Sequence, residues 1–126
     1  MRPTPVVYLF IALTILFTVA GQLLVKRGMG EMGASPTQLS RLPRFILLTF
    51  TNPSVLAGLV CAFIAAVAWT LAVSRSDISF AYPFMGLAIV LTLAFSSLCF
   101  GEKVPALRWF GVAIVCVGLT LAARAK

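Results

Sequence analysis

The sequence predicts an all-α membrane protein: four transmembrane helices in a compact bundle, with a short interfacial helix between the first two. Three observations predict it. Four apolar segments, 6–25, 55–73, 78–100 and 106–123, fill most of the 126 residues. Each is close to the ~20 residues that carry a helix across a ~30 Å hydrocarbon core. None has a charge in its interior, Arg108 lying at the start of the fourth. The composition is 61% hydrophobic and 10% charged, with a mean hydropathy of +1.08. A soluble domain this small leaves too much surface exposed to hide that much apolar area. The whole chain, 1–126, reads as one four-helix transmembrane domain.

The first span follows Arg2, and its apolar run continues past the small residues Thr18-Val19-Ala20 into Leu23, Leu24 and Val25. It is read as a retained helix rather than a cleaved signal peptide. Lys26-Arg27-Gly28 should end it, because cations and then glycine suit a helix C-terminus. Gly28, Gly30, Gly33 and Pro36 then predict a flexible turn. In the next stretch Leu39, Leu42, Phe45 and Ile46 recur at helical spacing while Arg41 and Arg44 face elsewhere. Pro43 interrupts that stretch or opens a short helix. The pattern fits a helix lying in the membrane interface, or else an N-terminal extension of the second span. Asn52-Pro53-Ser54 marks a start for the second span itself. Ser74–Asp77 and Gly101–Pro105 are tight connections, so neighbouring spans run antiparallel.

The net charge is +7 and the isoelectric point near 10.2. The basic residues flank hydrophobic spans, where they meet anionic head groups rather than nucleic acid. Arg2, Arg75, Arg124 and Lys126 fall on one side, and Lys26, Arg27, Arg41, Arg44, Lys103 and Arg108 on the other. So even a division leaves open a single orientation, with the first and third loops cytoplasmic, or insertion both ways, which permits antiparallel pairing. Histidine is absent, and the acids are Glu31, Asp77 and Glu102. Most hydrolytic and metal-dependent mechanisms are therefore excluded. Cys61, Cys99 and Cys116 lie apart within apolar spans and read as small hydrophobes. No metal or cofactor is expected, and no enzymatic activity.

Thr14, Thr18, Gln22 and Lys26 are spaced four apart and share one face of the first helix. In hydrocarbon such a face turns toward protein or water. It serves either as hydrogen-bonding contact between helices or as the lining for a polar or anionic head group, with Lys26 and Arg27 on a phosphate. In the third helix, Tyr82 beside Pro83 is an interface anchor or a lining hydroxyl. Thr92 and Ser96 share a face and are read as packing. Glu102 either meets Arg108 across the third turn or takes a gating or proton-binding role. Gly111 and Gly118 mark a face of the fourth helix where another helix can come close. Four helices leave little space at their axis, so self-association or a partner subunit is expected.

At these residues the chain resembles the four-helix form of the drug/metabolite transporter superfamily. The resemblance rests on Ala20-Gly21-Gln22-Leu23 with Lys26, on Ala81-Tyr82-Pro83, on Glu102, and on Trp109-Phe110-Gly111-Val112-Ala113 with Gly118. They occur in order along the chain, on the first, third and fourth helices and the turn between the last two, and the likeness leaves out about 28–53. The nearest likeness is to the small subunits proposed to flip aminoarabinose-phosphoundecaprenol across the bacterial inner membrane. The chain is also similar to the small multidrug resistance family, through Tyr82 and the Gly111/Gly118 pair. That family's helix-one glutamate, however, aligns with Thr18, its substrate-site tryptophan with Met85, and its helix-three glycines with Leu87 and Ile89. Without a membrane carboxylate there is no group to exchange a proton for a cation. The resemblance thus implies a flippase, or a flippase subunit, for a polyprenyl-phosphate-linked sugar. It would act as a homodimer or heterodimer among membrane lipids, with Lys26, Arg27, Gln22, Thr18, Tyr82 and Glu102 toward the substrate and Gly111 and Gly118 in the dimer contact. Export of a small cation or drug, and a non-transporting subunit that stabilises a partner, are the alternatives.

Overall fold

The computed structural model describes residues 4–125. Helix α1 spans Pro5–Met32. Proline suits its first turn, where an amide N–H would have no intrahelical partner, and the Val7 amide donates to the Thr4 carbonyl at 2.9 Å. Contrary to the sequence expectation, α1 does not end at Gly28. It closes at Gly33, whose φ of 82° suits a residue without a Cβ. The reason is that Gly28 is a contact point and not a terminator. A Cβ there would stand 2.6 Å from Val55 Cγ2 and 2.9 Å from Asn52 Oδ1. The 28 residues of α1 reach ~42 Å at ~1.5 Å each, beyond a ~30 Å hydrocarbon core. Its last turns therefore project past the apolar layer.

A 3₁₀ turn at Leu39–Arg41 leads into α2, Leu42–Thr49, with Pro43 in its first turn. The chain breaks before α3, Pro53–Val73, so α2 is a separate helix and not an extension of the second span. Asn52 makes that break. Its Oδ1 accepts from the Ser54 and Val55 amides at 2.9 and 3.3 Å, the usual way an asparagine satisfies free N–H groups at a helix start. Its Nδ2 donates back to the Gly28 carbonyl at 3.3 Å and to Glu31 Oε2 at 3.4 Å. One side chain thus both starts α3 and ties it to α1. The third span is interrupted near its start: α4, Ile78–Ala81, a 3₁₀ turn at Tyr82–Phe84, then α5, Met85–Phe100. Pro83 lies in that turn, where it donates no backbone hydrogen bond. Gly101, with φ of 64°, ends α5, and α6 runs Ala106–Arg124. Four helical spans are long and apolar enough to cross a membrane.

Two kinds of packing hold these helices. Along α1, Val7, Ile11, Ile15 and Val19 are buried with Ala72 of α3, Ala81 of α4 and Ala88 of α5. Farther along, α1 and α3 come together backbone to backbone: a Cβ on Gly21 would lie 2.8 Å from the Gly58 carbonyl oxygen, and one on Gly58 would lie 2.7 Å from that of Gly21. Close approach through small residues is how helices gain contact where lipid removes the hydrophobic drive between them. Helix α6 contributes no buried residue. It rests on the rim, where Leu119 reaches toward Gly86. Leu9, Leu16, Phe63, Leu98, Leu107 and Leu121 point outward, as a lipid-facing surface requires.

Candidate functional site

Packing sets α1 antiparallel to α3 and parallel to α5, so the polar side chains of α1 and α5 advance in the same direction. They form successive rungs. Thr92 Oγ1 of α5 donates to Gln22 Oε1 of α1 at 3.1 Å. One turn on, Lys26 Nζ pairs with Glu102 Oε1 at 3.5 Å, and the Ser96 hydroxyl donates to Glu102 Oε2. Nearer the start of α1, the Thr14 hydroxyl donates to the Phe10 carbonyl of its own helix at 2.7 Å. Thr14 is therefore already satisfied where it is buried.

These rungs border two adjoining hollows. One, of about 450 Å³, is lined by Thr14, Thr18 and Gln22 of α1, Ala65 and Trp69 of α3, Tyr82, and Met85 and Thr92 of α5. The other, of about 430 Å³, continues from Thr18 and Gln22 to Lys26 and Met29, with Gly21 and Gly58 as its floor. Together they make a groove with hydroxyls, an amide and aromatic rings at one end and an ammonium at the other. Trp69 and Tyr82 meet edge to face, ring centroids 5.7 Å apart. Tyr82 is 59% exposed.

The rest of the chain leaves the ion pair largely uncovered, Lys26 being 61% and Glu102 43% exposed. The Ser96 hydroxyl, together with the Lys26 ammonium and the nearby Arg108, holds the Glu102 carboxyl below its ordinary range and outweighs the opposing effect of burial. Ion pairs this exposed contribute little to stability. Either partner can therefore be drawn to another charge at small cost. Among the described residues no three His, Cys, Asp or Glu side chains converge on a metal position.

The structure draws Thr18, Gln22, Lys26 and Tyr82 to this groove, and Glu102 reaches it only through its pairing with Lys26. Arg27 is exposed and lies ~100° around the helix from Lys26, lining neither hollow. The partner expected for Glu102, Arg108, gives way to Lys26 because α5 lies alongside α1. Thr92 and Ser96, read from the sequence as packing, are the α5 half of the rungs. Trp69 carries no mark in the sequence pattern; the structure places it one turn after the buried Ala65, on the same face of α3. Gly111 and Gly118 have open space where a Cβ would stand, on the outward side of α6.

Four apolar spans around a polar strip with a cation at one end define a multi-pass membrane protein built as a small transporter. Residues 37–124 match the EamA-like transporter family, and the chain belongs to that family. Among similar proteins, the probable 4-amino-4-deoxy-L-arabinose-phosphoundecaprenol flippase subunit ArnE of Pectobacterium atrosepticum is 28% identical over 114 residues, 90% of this chain and 95% of the relative. The protein of the same name from Aeromonas hydrophila is 27% identical over 113 residues, covering 90% and 93%. That from Pseudomonas savastanoi is 33% identical over 78 residues, 55% of this chain and 68% of the relative. No solved structure matches the chain.

Proposed function

We propose that this protein is a flippase, or one subunit of a flippase, for a polyprenyl-phosphate-linked sugar in the bacterial inner membrane. The observation that carries the proposal is the exchangeable Lys26–Glu102 pair at the end of a groove lined by Thr18, Gln22 and Tyr82. The polyprenyl tail stays in lipid while the head group crosses along the groove. Lys26 binds the phosphate through charge-assisted hydrogen bonds; Gln22, Thr18 and Tyr82 hydrogen-bond the sugar. The similar proteins are named for an amino sugar, whose head group bears an ammonium as well as a phosphate. Such a zwitterion can exchange with the ion pair as a whole, phosphate to Lys26 and ammonium to Glu102, leaving neither protein charge bare. No covalent bond is made or broken, so the protein is not an enzyme. The groove is bounded by α1, α3, α5 and the 3₁₀ turn that carries Tyr82, and a second subunit packed through Gly111 and Gly118 of α6 completes the pathway.

Reconstitution tests this directly. Liposomes holding the purified chain, alone and with a candidate partner subunit, should move a polyprenyl-phosphate aminosugar between leaflets. Mass spectrometry of lipids copurifying with the protein should find polyprenyl phosphates. Failure of both, or transport of a cationic drug that collapses with the pH gradient, would overturn the assignment.

A further inference from the structure

A second basic hollow lies apart from the groove, where the end of α1 meets α2. It has a volume of about 620 Å³, and Met32, Ser40, Arg41, Arg44, Phe45 and Leu48 contribute to its walls. Arg41 and Arg44, three residues apart, both border it. Among the described residues neither forms an ion pair, the Lys26–Glu102 contact being the one recorded there. The next two residues that α2 exposes after Phe45, Ile46 and Leu47, are 50% and 69% exposed, and Phe50 just beyond the helix is 52% exposed. An eight-residue helix with so much bare apolar surface belongs at the boundary of acyl chains and head groups. There its arginines stand at the depth of lipid phosphates.

We infer that this hollow binds the phosphate of an anionic membrane phospholipid, with Arg41 and Arg44 as the cationic partners, Ser40 as a neutral hydrogen-bonding group, and Met32, Phe45 and Leu48 against the upper acyl chain. Three features favour a lipid occupant over a soluble anion. The wall is part basic and part apolar, the apolar part continues onto the exposed face of α2, and the whole site is at the end of the bundle that carries Lys26, Arg27, Lys103 and Arg108 as well. A guanidinium pair matches the planar, multi-acceptor geometry of a phosphodiester. The inference does not depend on what the groove transports.

The test is native mass spectrometry of the full chain in detergent, titrated with phosphatidylglycerol and with phosphatidylcholine of identical acyl chains. The wild type should retain phosphatidylglycerol in preference by roughly tenfold, as expected for two cations near a membrane phosphate. The Arg41→Gln/Arg44→Gln variant should lose that preference, and Arg41→Lys/Arg44→Lys should keep most of it. Arg75→Gln/Arg124→Gln, which removes the same charge from the opposite end, should leave it unchanged. The site is overturned if Arg41→Gln/Arg44→Gln keeps the preference. It is equally overturned if the opposite-end variant loses as much, or if soluble glycerol phosphate competes as well as the lipid does.

Discussion

Gly58→Ala is the sharpest perturbation of this fold, because the new methyl group has no flexible neighbour to displace. Its Cβ would stand 2.7 Å from the Gly21 carbonyl oxygen, 2.7 Å from Val25 Cγ2 and 3.0 Å from the Val25 amide nitrogen. Two of those three neighbours are backbone of α1. Relief to ordinary contact requires α1 and α3 to separate by ~0.7 Å, and close-packed interiors resist such shifts. Overpacking of this kind costs about 1–3 kcal/mol. Alanine also improves helix propensity by up to ~1 kcal/mol over glycine, which would mask part of the loss. Gly30→Ala supplies the reference, since Gly30 is helical and a Cβ there meets nothing within 4 Å. The difference between the two variants isolates the packing term. Reversible unfolding in mixed detergent micelles, followed by tryptophan fluorescence, should place Gly58→Ala about 1–3 kcal/mol below Gly30→Ala. Because Gly58 also floors the groove, its binding of head groups should weaken in parallel. Equal midpoints for the two variants would refute backbone contact between α1 and α3.

Three further outcomes are expected. Lys26→Gln should weaken binding of a polyprenyl phosphate by about 1–3 kcal/mol, with Arg27→Gln having a smaller effect because Arg27 lies outside the groove; unchanged binding and flipping in a folded Lys26→Gln protein would remove Lys26 from the phosphate site. The Ser96 hydroxyl and the Lys26 ammonium hold the Glu102 carboxyl below its ordinary range, so its contribution is present above the ordinary carboxylate range and is lost only as pH falls through the depressed folded value. Flipping measured without a pH gradient should therefore be flat from about pH 5 to 8 with respect to this group, and a transition inside that window that disappears in Glu102→Gln would contradict the ion-pair arrangement. Gly118→Leu fills open space on the rim helix, so it should leave the monomer fold intact while obstructing a subunit packed there by more than ~1 kcal/mol; native mass spectrometry in lipid nanodiscs showing an unchanged oligomeric state would exclude this face as the contact.

What the sequence determined by itself was whatever depends on many residues summed along the chain or on local chemistry. Hydropathy accumulated over ~20 residues specifies a membrane span without reference to any neighbour, so the four spans were legible. Asn52 was legible as a helix start because its cap involves amides only two and three residues away. The line from Thr14 to Lys26 was legible because side chains four apart on a helix share a face whatever lies opposite. Tertiary structure alone decided what each face meets. Gln22 finds Thr92 seventy residues later in the chain, and Lys26 takes Glu102 because α5 is parallel to α1, a relation no local pattern encodes. Glycine shows the same division. Gly28 carries the composition of a helix end, yet it lies inside α1, since the approach of Val55 and Asn52 requires a residue without a Cβ. The tight seam likewise joins Gly21 to Gly58, while Gly111 and Gly118 face outward. A glycine permits a turn, a helix interior or a close contact equally well, and which one it adopts is fixed by the surface that packs against it.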